Sequence, residues 1–283
     1  MRSRRRFSFS CDLLKNWVTS KPLNYAIIRY SADWPIPSPF AKGGTTGGVR
    51  LEFRSEPWTE ASVAPLLQSY FRLDDDINAI YWEISRDERV AAMVARYPGL
   101  RVLRQEPWEC LIAFICSANS NIPRIAQNVE TLASHYGSPI VMDGEVRHAF
   151  PKPVQLAEAG ELELRKLGLG FRAPYVARAA LLVASGELDL DALVRLPYAE
   201  AKAWLMECPG VGPKVADCVL VFSLEKLEAF PIDVWVRRAL GEWYFPGQKA
   251  PSDRVLLEWA QDHFGRYAGY ANQYLFHGRR LER

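Results

Sequence analysis

Two short stretches hold residues whose types and spacing can do covalent chemistry. The first is Cys208-Pro209-Gly210-Val211-Gly212-Pro213-Lys214-Val215-Ala216-Asp217-Cys218, and the second is Phe230-Pro231-Ile232-Asp233-Val234. Proline and glycine punctuation predicts that one helix ends near Cys208 and another begins near Pro213. Lys214 then stands in the first turn of that second helix, where the positive end of the macrodipole disfavours a cation. An unprotonated lysine amine is a nucleophile suited to a Schiff base with a sugar or carbonyl carbon. Cys218 follows four residues later, on the same helical face. Asp233 falls at the expected N-cap of the next helix. Gly210 and Gly212 are expected to take positive φ and to let another backbone approach closely. The N–H groups of Gly210, Val211 and Gly212, with the helix N-terminus behind them, would form a site for a phosphate. Taken singly, each feature also fits an ordinary helix-to-helix turn, a surface lysine or a capping aspartate.

The elements around these stretches are mostly helical. Helical periodicity runs through 77–84, 88–97, 107–116, 123–136, 154–159, 161–166, 173–185, 189–194, 198–207, 214–224, 234–243, 253–264 and 268–277. Before Asp76, Pro22, Pro35, Pro37, Pro39 and the run Gly43-Gly44-Thr45-Thr46-Gly47-Gly48 argue against long helices. Residues 25–30 and 49–53 read there as short strands. The glycine run carries no following Lys-Ser/Thr and is read as a loop. The expected fold is mainly α, with a small N-terminal α+β domain built on an antiparallel sheet. At 283 residues, two units are expected at roughly 150 residues per domain. They are a β-containing unit over 1–106 and a helical unit over 107–283.

Composition sets further bounds. There are 35 Lys+Arg and 33 Asp+Glu, a net charge of +2. Arg2, Arg4, Arg5 and Arg6 carry more than that sum, so a polyanion would have to be met by a local patch or by backbone groups. Five cysteines without a CxxC motif predict neither a disulfide framework nor a zinc site. No uninterrupted apolar stretch reaches membrane-spanning length. The segment after the arginines is broken by Asp12, Lys15 and Asn16, unlike an export signal. These features are read as reduced thiols, an intracellular location and no membrane partner.

Other segments extend the pattern. They are Leu103-Arg104-Gln105-Glu106-Pro107-Trp108-Glu109-Cys110-Leu111, Phe114-Ile115-Cys116-Ser117-Ala118-Asn119-Ser120-Asn121-Ile122-Pro123-Arg124-Ile125, residues 165–173, and Tyr267-Ala268-Gly269-Tyr270-Ala271 with Leu275-Phe276. In this order, and with the two stretches above, they resemble the helix-hairpin-helix, glycine/proline…aspartate superfamily of DNA glycosylases. Within it they are most similar to the 8-oxoguanine DNA glycosylase/lyase family, over about Tyr70 to Phe276.

The resemblance implies a bifunctional glycosylase/lyase acting on an oxidised purine opposite cytosine in duplex DNA. The N-terminal unit would be TATA-binding-protein-like. A damaged nucleotide would be swung out of the helix. Lys214 would attack C1′ and form a Schiff base that permits β-elimination, and Asp233 would stabilise the positive charge developing on the sugar. Cys218 and Phe276 would sandwich the flipped purine, and Asn272 or Gln273 would recognise it. Asn119, Arg124 and Arg172 would hold the orphaned cytosine and fill the gap in the stack, with Phe171 as the wedge. The chemistry would require no metal or other cofactor, and the hairpin leaves room for a structural monovalent cation. A monomer is expected, with double-stranded DNA as partner.

Departures from the family pattern are specific. Ser120 interrupts an asparagine triplet, Trp235 replaces a common phosphate-contacting histidine, and the first 60 residues carry no Gly-Gln-x-Phe-Arg-Trp segment. In the family, a glycine carbonyl in that segment separates 8-oxoguanine from guanine. Its absence leaves open another carbonyl, a rearranged N-terminal segment or a different damaged purine. No cysteine follows Cys218, which excludes an iron–sulfur cluster of the related branch. Lys214 argues against a monofunctional alkylpurine glycosylase, and the Lys214/Asp233 pair against a non-catalytic DNA-binding module.

Overall fold

The computed structural model describes residues 26–30, 51–55, 60–142, 144–247 and 251–281, the first two segments as backbone. The arginines near the N-terminus and the glycine run 43–48 lie outside the described residues. Strands β1 (Ala26–Tyr30) and β2 (Leu51–Ser55) pair antiparallel, with Ala26 opposite Ser55 and Tyr30 opposite Leu51. Both strands were expected, and they form the small sheet of the N-terminal part.

Thirteen α-helices follow among the described residues, beginning with α1 (Glu60–Tyr70), α2 (Ile77–Ile84), α3 (Glu88–Arg96), α4 (Pro107–Cys116) and α5 (Ile122–Tyr136). After a hairpin of β3 (Pro139–Met142) and β4 (Glu145–His148) come α6 (Pro153–Leu164), α7 (Ala173–Ser185), α8 (Leu190–Leu193) and α9 (Tyr198–Met206). The chain closes with α10 (Pro213–Ser223), α11 (Val234–Trp243), α12 (Asp253–Phe264) and α13 (Ala268–Leu281). Local caps explain the boundaries. Asp76, Asp87, Asn121, Asp233 and Ser252 each accept a backbone N–H from the first turn of the helix they start.

Two elements depart from expectation. Helix α1 forms in spite of Pro65 inside it. Val63, Leu67, Tyr70 and Phe71 recur at helical spacing and are all buried, and this apolar face outweighs one lost backbone bond. The β3–β4 hairpin, turning at Gly144 with φ +79°, is too short to announce itself by alternation. By contrast, the expected break between 154–159 and 161–166 is real, because Gly160 adopts φ +68° inside α6. The apolar run 153–185 is long enough by composition to cross a membrane. It is interrupted at Gly160, Gly168 and Gly170, and α6 packs along α7.

One hydrophobic core runs through the helices, from Ile80 and Ile84 of α2 to Tyr274 and Leu275 of α13. It crosses residue 106 without interruption: Val90, Leu100 and Val102 belong to it together with Leu111, Leu220 and Leu240. A polar network reinforces that junction. Fully buried Arg72 makes a fork to Glu225 at 2.9 and 3.0 Å, and Arg104 reaches Glu225, Asp74 and Asp75. Tyr270 donates to the other oxygen of Asp75 at 3.0 Å.

Helix α10 is the most enclosed element, with Val215 through Val221 all buried. The charge it carries inside is Asp217, whose carboxylate accepts from Lys202 Nζ at 2.8 Å and from Tyr198 OH at 2.8 Å. Burial pushes the Asp217 carboxyl up, and the charge and hydrogen bonds of Lys202 and Tyr198 oppose the shift. Removing the counter-charge by Lys202→Met leaves an uncompensated carboxylate in the core. The expected loss at neutral pH is about 3–5 kcal/mol, read from urea unfolding. Because the folded-state pKa is raised, the deficit is greatest above it and shrinks as the pH falls through it. A loss independent of pH would show that Asp217 is not the group left unpaired.

Candidate active site

The turn from α9 to α10 begins where Val211, 5% exposed, plugs into the core and donates its N–H to the Cys208 carbonyl at 3.0 Å. That N–H is therefore spent within the turn, contrary to the expectation that all three hairpin amides face outward. Gly210 takes φ +87°, and a Cβ there would lie 2.5 Å from the ring of Tyr175. Gly212 does not share that conformation. At φ −90° and ψ 179° it is extended, so the expected positive φ is confined to Gly210. What Gly212 contributes is open space, since a Cβ there would meet nothing within 4 Å. Helix α10 has no side-chain cap, and its first internal bond is Ala216 N–H to Gly212 O at 2.9 Å. The N–H groups of Gly212, Lys214 and Val215 are thus the orphan donors of a helix terminus, and they suit an anion.

Lys214 lies half-buried just behind those donors. Its Nζ donates to Ser117 Oγ at 2.9 Å and sits 5.2 Å from the ring centre of Phe114. Phe114 in turn stacks on Phe222 at 5.5 Å. Cys218, one turn further on, is 4% exposed. Burial pushes its thiol up to about 11; Lys214 pulls it down through charge and a hydrogen bond, while Asp217 and Asp233 push it up. Lys214, Cys218 and Asp233 therefore share one electrostatic neighbourhood. Asp233 caps α11 by accepting Val236 N–H on Oδ1 at 2.8 Å. Capping uses that one oxygen and leaves Oδ2 for the site, so the two roles expected of Asp233 are compatible.

The residues expected to recognise the base divide. Asn272 is 1% exposed, donates to the Pro231 carbonyl at 2.8 Å and accepts from Gln273 Nε2 at 2.9 Å. It ties α13 to the segment that leads into Asp233. Gln273 is half-buried, and its Oε1 takes no part in the bond to Asn272. Phe276, also half-buried, packs on the core.

Two further loops meet across the chain. Asn119 is exposed and strained at φ +48° in the turn after α4. Arg172, 8% exposed, donates to Ala118 O at 3.0 and 2.6 Å and to Asn119 O at 3.0 Å. Its guanidinium also lies 4.4 Å from the ring centre of Phe171, which is 49% exposed. Arg124 is exposed and donates to the Gly168 carbonyl at 2.8 Å. Through Nε and Nη2, Arg172 clamps the Asn119 turn. Asn119, Phe171 and Arg124 are the ones left at the surface. Sequence reasoning missed Ser117, Phe114, Lys202 and Tyr198, which act on partners distant in sequence. Among the described residues, no group of three or more His, Cys, Asp or Glu side chains could hold a metal ion.

An amine set behind an uncapped helix terminus, near side chains able to enter a base stack, suits an enzyme that takes nucleotides out of a duplex. The class so defined is that of helix-hairpin-helix DNA glycosylases. Residues 8–111 match the 8-oxoguanine DNA glycosylase N-terminal domain, and residues 112–261 match the HhH-GPD superfamily of base excision DNA repair proteins. The first match begins inside the segment where no family motif is visible. The chain is 34% identical to a probable N-glycosylase/DNA lyase of Methanothermobacter thermautotrophicus, over 87% of this chain and 84% of that one. It is 32% identical to the N-glycosylase/DNA lyase OGG1 of Arabidopsis thaliana, over 86% and 73%. Among solved structures, it superposes with a TM-score of 0.79 and 30% identity on the Clostridium acetobutylicum 8-oxoguanine glycosylase/lyase, covering 96% of this chain and 90% of that one. That enzyme was solved with double-stranded DNA containing cytosine opposite 8-oxoguanine. The chain belongs to the 8-oxoguanine DNA glycosylase family and is a DNA N-glycosylase with associated lyase activity.

The two hairpin glycines should separate on mutation. Gly210→Ala forces a left-handed alanine against Tyr175, and an expected loss of at least about 1–2 kcal/mol would lower the melting temperature. Gly212→Ala is unstrained and should melt like the parent. Its methyl group stands before the helix terminus, so affinity for duplex DNA measured by fluorescence anisotropy should fall. Unchanged affinity in Gly212→Ala would remove the hairpin from the DNA contact.

Proposed function

We propose that this enzyme excises 8-oxoguanine opposite cytosine from duplex DNA and then incises the strand, with Lys214 as nucleophile and Asp233 as its electrostatic partner. The observation that carries the reading is the half-buried Lys214 amine in the first turn of α10, sharing its surroundings with Cys218 and Asp233. The nitrogen lone pair attacks C1′ as the C1′–N9 bond breaks, and the base leaves with the bonding electrons and takes up a proton. Asp233 carries negative charge where the sugar becomes positive. Opening of the sugar ring gives the iminium. Loss of a C2′ proton then expels the 3′ phosphate oxygen, and water later releases the enzyme. Phe171 and Asn119, both exposed, open the stack, while Arg124 offers its charge to the opposite strand. Asn272 or Gln273 supplies the amide that reads the base edge. The Clostridium acetobutylicum neighbour supports cytosine as the opposite base. As the nucleophile comes from the chain itself, the reaction is expected to run in the presence of a chelator.

Borohydride trapping on a duplex carrying 8-oxoguanine opposite cytosine tests this reading. The parent should yield a covalent adduct that Lys214→Gln abolishes. An undiminished adduct in Lys214→Gln would refute the nucleophile, and binding without an adduct on any oxidised purine would refute the activity. Asp233→Asn should bind DNA normally and slow the single-turnover step by about 10²–10³. A loss of folding instead would make its role purely that of a cap.

A further inference from the structure

The amine of Lys214 is held by a residue 97 positions earlier in the chain. Ser117 Oγ accepts from Nζ at 2.9 Å, and its own hydrogen is donated to the Phe114 carbonyl at 2.6 Å. With that hydrogen committed, the hydroxyl can face the lysine only as an acceptor. Ser117 is itself immobilised. It is the C-cap of α4, with its N–H on the Phe114 and Ile115 carbonyls, and Cys116 before it is buried. The next carbonyl, that of Ala118, is gripped twice by buried Arg172. The Phe114 ring, backed by Phe222 of the lysine's own helix, closes a second side of the amine.

We propose that Ser117 is the positioning residue of the nucleophile. A neutral amine has two hydrogens and one lone pair. Giving one hydrogen to Ser117, with the aromatic floor of Phe114 beside it, restricts rotation about the last side-chain bonds. The lone pair is then confined to the directions left open. A lysine side chain otherwise samples many rotamers, and restricting it before the reaction lowers the barrier to attack. The same contact joins the wedge turn to the nucleophile, because Ser117 lies two residues before Asn119.

This inference rests on Lys214 being the nucleophile, and its test is built so that the two fail separately. A duplex carrying a preformed abasic site removes any dependence on lesion preference. The amine adds to the C1′ aldehyde, the carbinolamine loses water, and borohydride delivers hydride to the iminium to give a stable secondary amine. Ser117→Ala and Ser117→Val remove the hydroxyl, while Ser117→Thr keeps it at the volume of valine. At saturating DNA, the alanine and valine variants are expected to form adduct about tenfold more slowly, with Kd for the duplex unchanged. Threonine should restore the rate. Equal rates in parent, alanine and valine variants would overturn the proposal, as would threonine and valine being equally slow. If alanine at 117 fails to fold, the threonine–valine comparison decides alone. Persistence of the adduct in Lys214→Gln would bring down the nucleophile assignment, and this proposal with it.

Discussion

The ion pair between Lys202 and Asp217 fixes α9 against α10 from inside the core, so the angle of the hairpin is set by a charge that cannot move. Helix α10 is buried along nearly its whole length, and only the turn Gly212-Pro213-Lys214 reaches the surface. Lys214, in the first turn of such a helix, has its backbone held in place. The clamp is costly to desolvate and is therefore weak evidence of net stability. Its worth here is placement: Asp217 lies three residues from Lys214 and next to Cys218, so the bond to Lys202 sets the rotation of the helix that carries both.

The same device recurs around the site. Asn272 spends its amide on the Pro231 carbonyl, two residues before Asp233, and Arg172 spends its guanidinium on the carbonyls of Ala118 and Asn119. In each case a buried polar side chain holds the backbone beside a candidate functional residue. Hydrogen bonds to a charged group contribute about 1.5–3 kcal/mol, and an orphaned buried partner costs a similar amount. The carbonyls after α4 have no helical partner of their own, so the Asn119 turn depends on Arg172 for its left-handed conformation. Three chain segments far apart in sequence are thereby assembled into one surface.

What the sequence disclosed follows the range of the forces involved. Capping and proline signals act within three or four residues, which is why Asp76, Asp87, Asn121 and Asp233 mark helix starts in the chain as they do in the fold. Lys214, Cys218 and Asp233 were legible for the same reason, being placed by one helix and one cap. Ser117 on Lys214, Arg172 on Ala118 and Asn272 on Pro231 span 97, 54 and 41 positions, and no periodicity records such pairings. Helix α1 lies before Asp76, where no helix was expected, because the burial of Val63, Leu67 and Phe71 that offsets Pro65 is a property of the fold. The conformation of Gly212 was misjudged on residue type alone, although glycine serves there for the room before its Cα.

The near-zero net charge also has a structural account. Arg72, Arg104, Arg237, Arg266, Arg279 and Lys202 are paired with carboxylates of the fold itself, so part of the positive charge is cancelled internally. Arg124, at the surface expected to meet DNA, bonds instead to a glutamine oxygen and a backbone carbonyl and keeps its charge for a partner. The helix termini divide in the same way. The N-terminus of α11 is closed by the carboxylate of Asp233, whereas that of α10 has no side-chain cap and faces the open space before Gly212. A helix dipole already satisfied by its own aspartate attracts no further anion, and one left open does. The terminus that carries Lys214 is thus open to a phosphate, which a sum of charges over the chain cannot register.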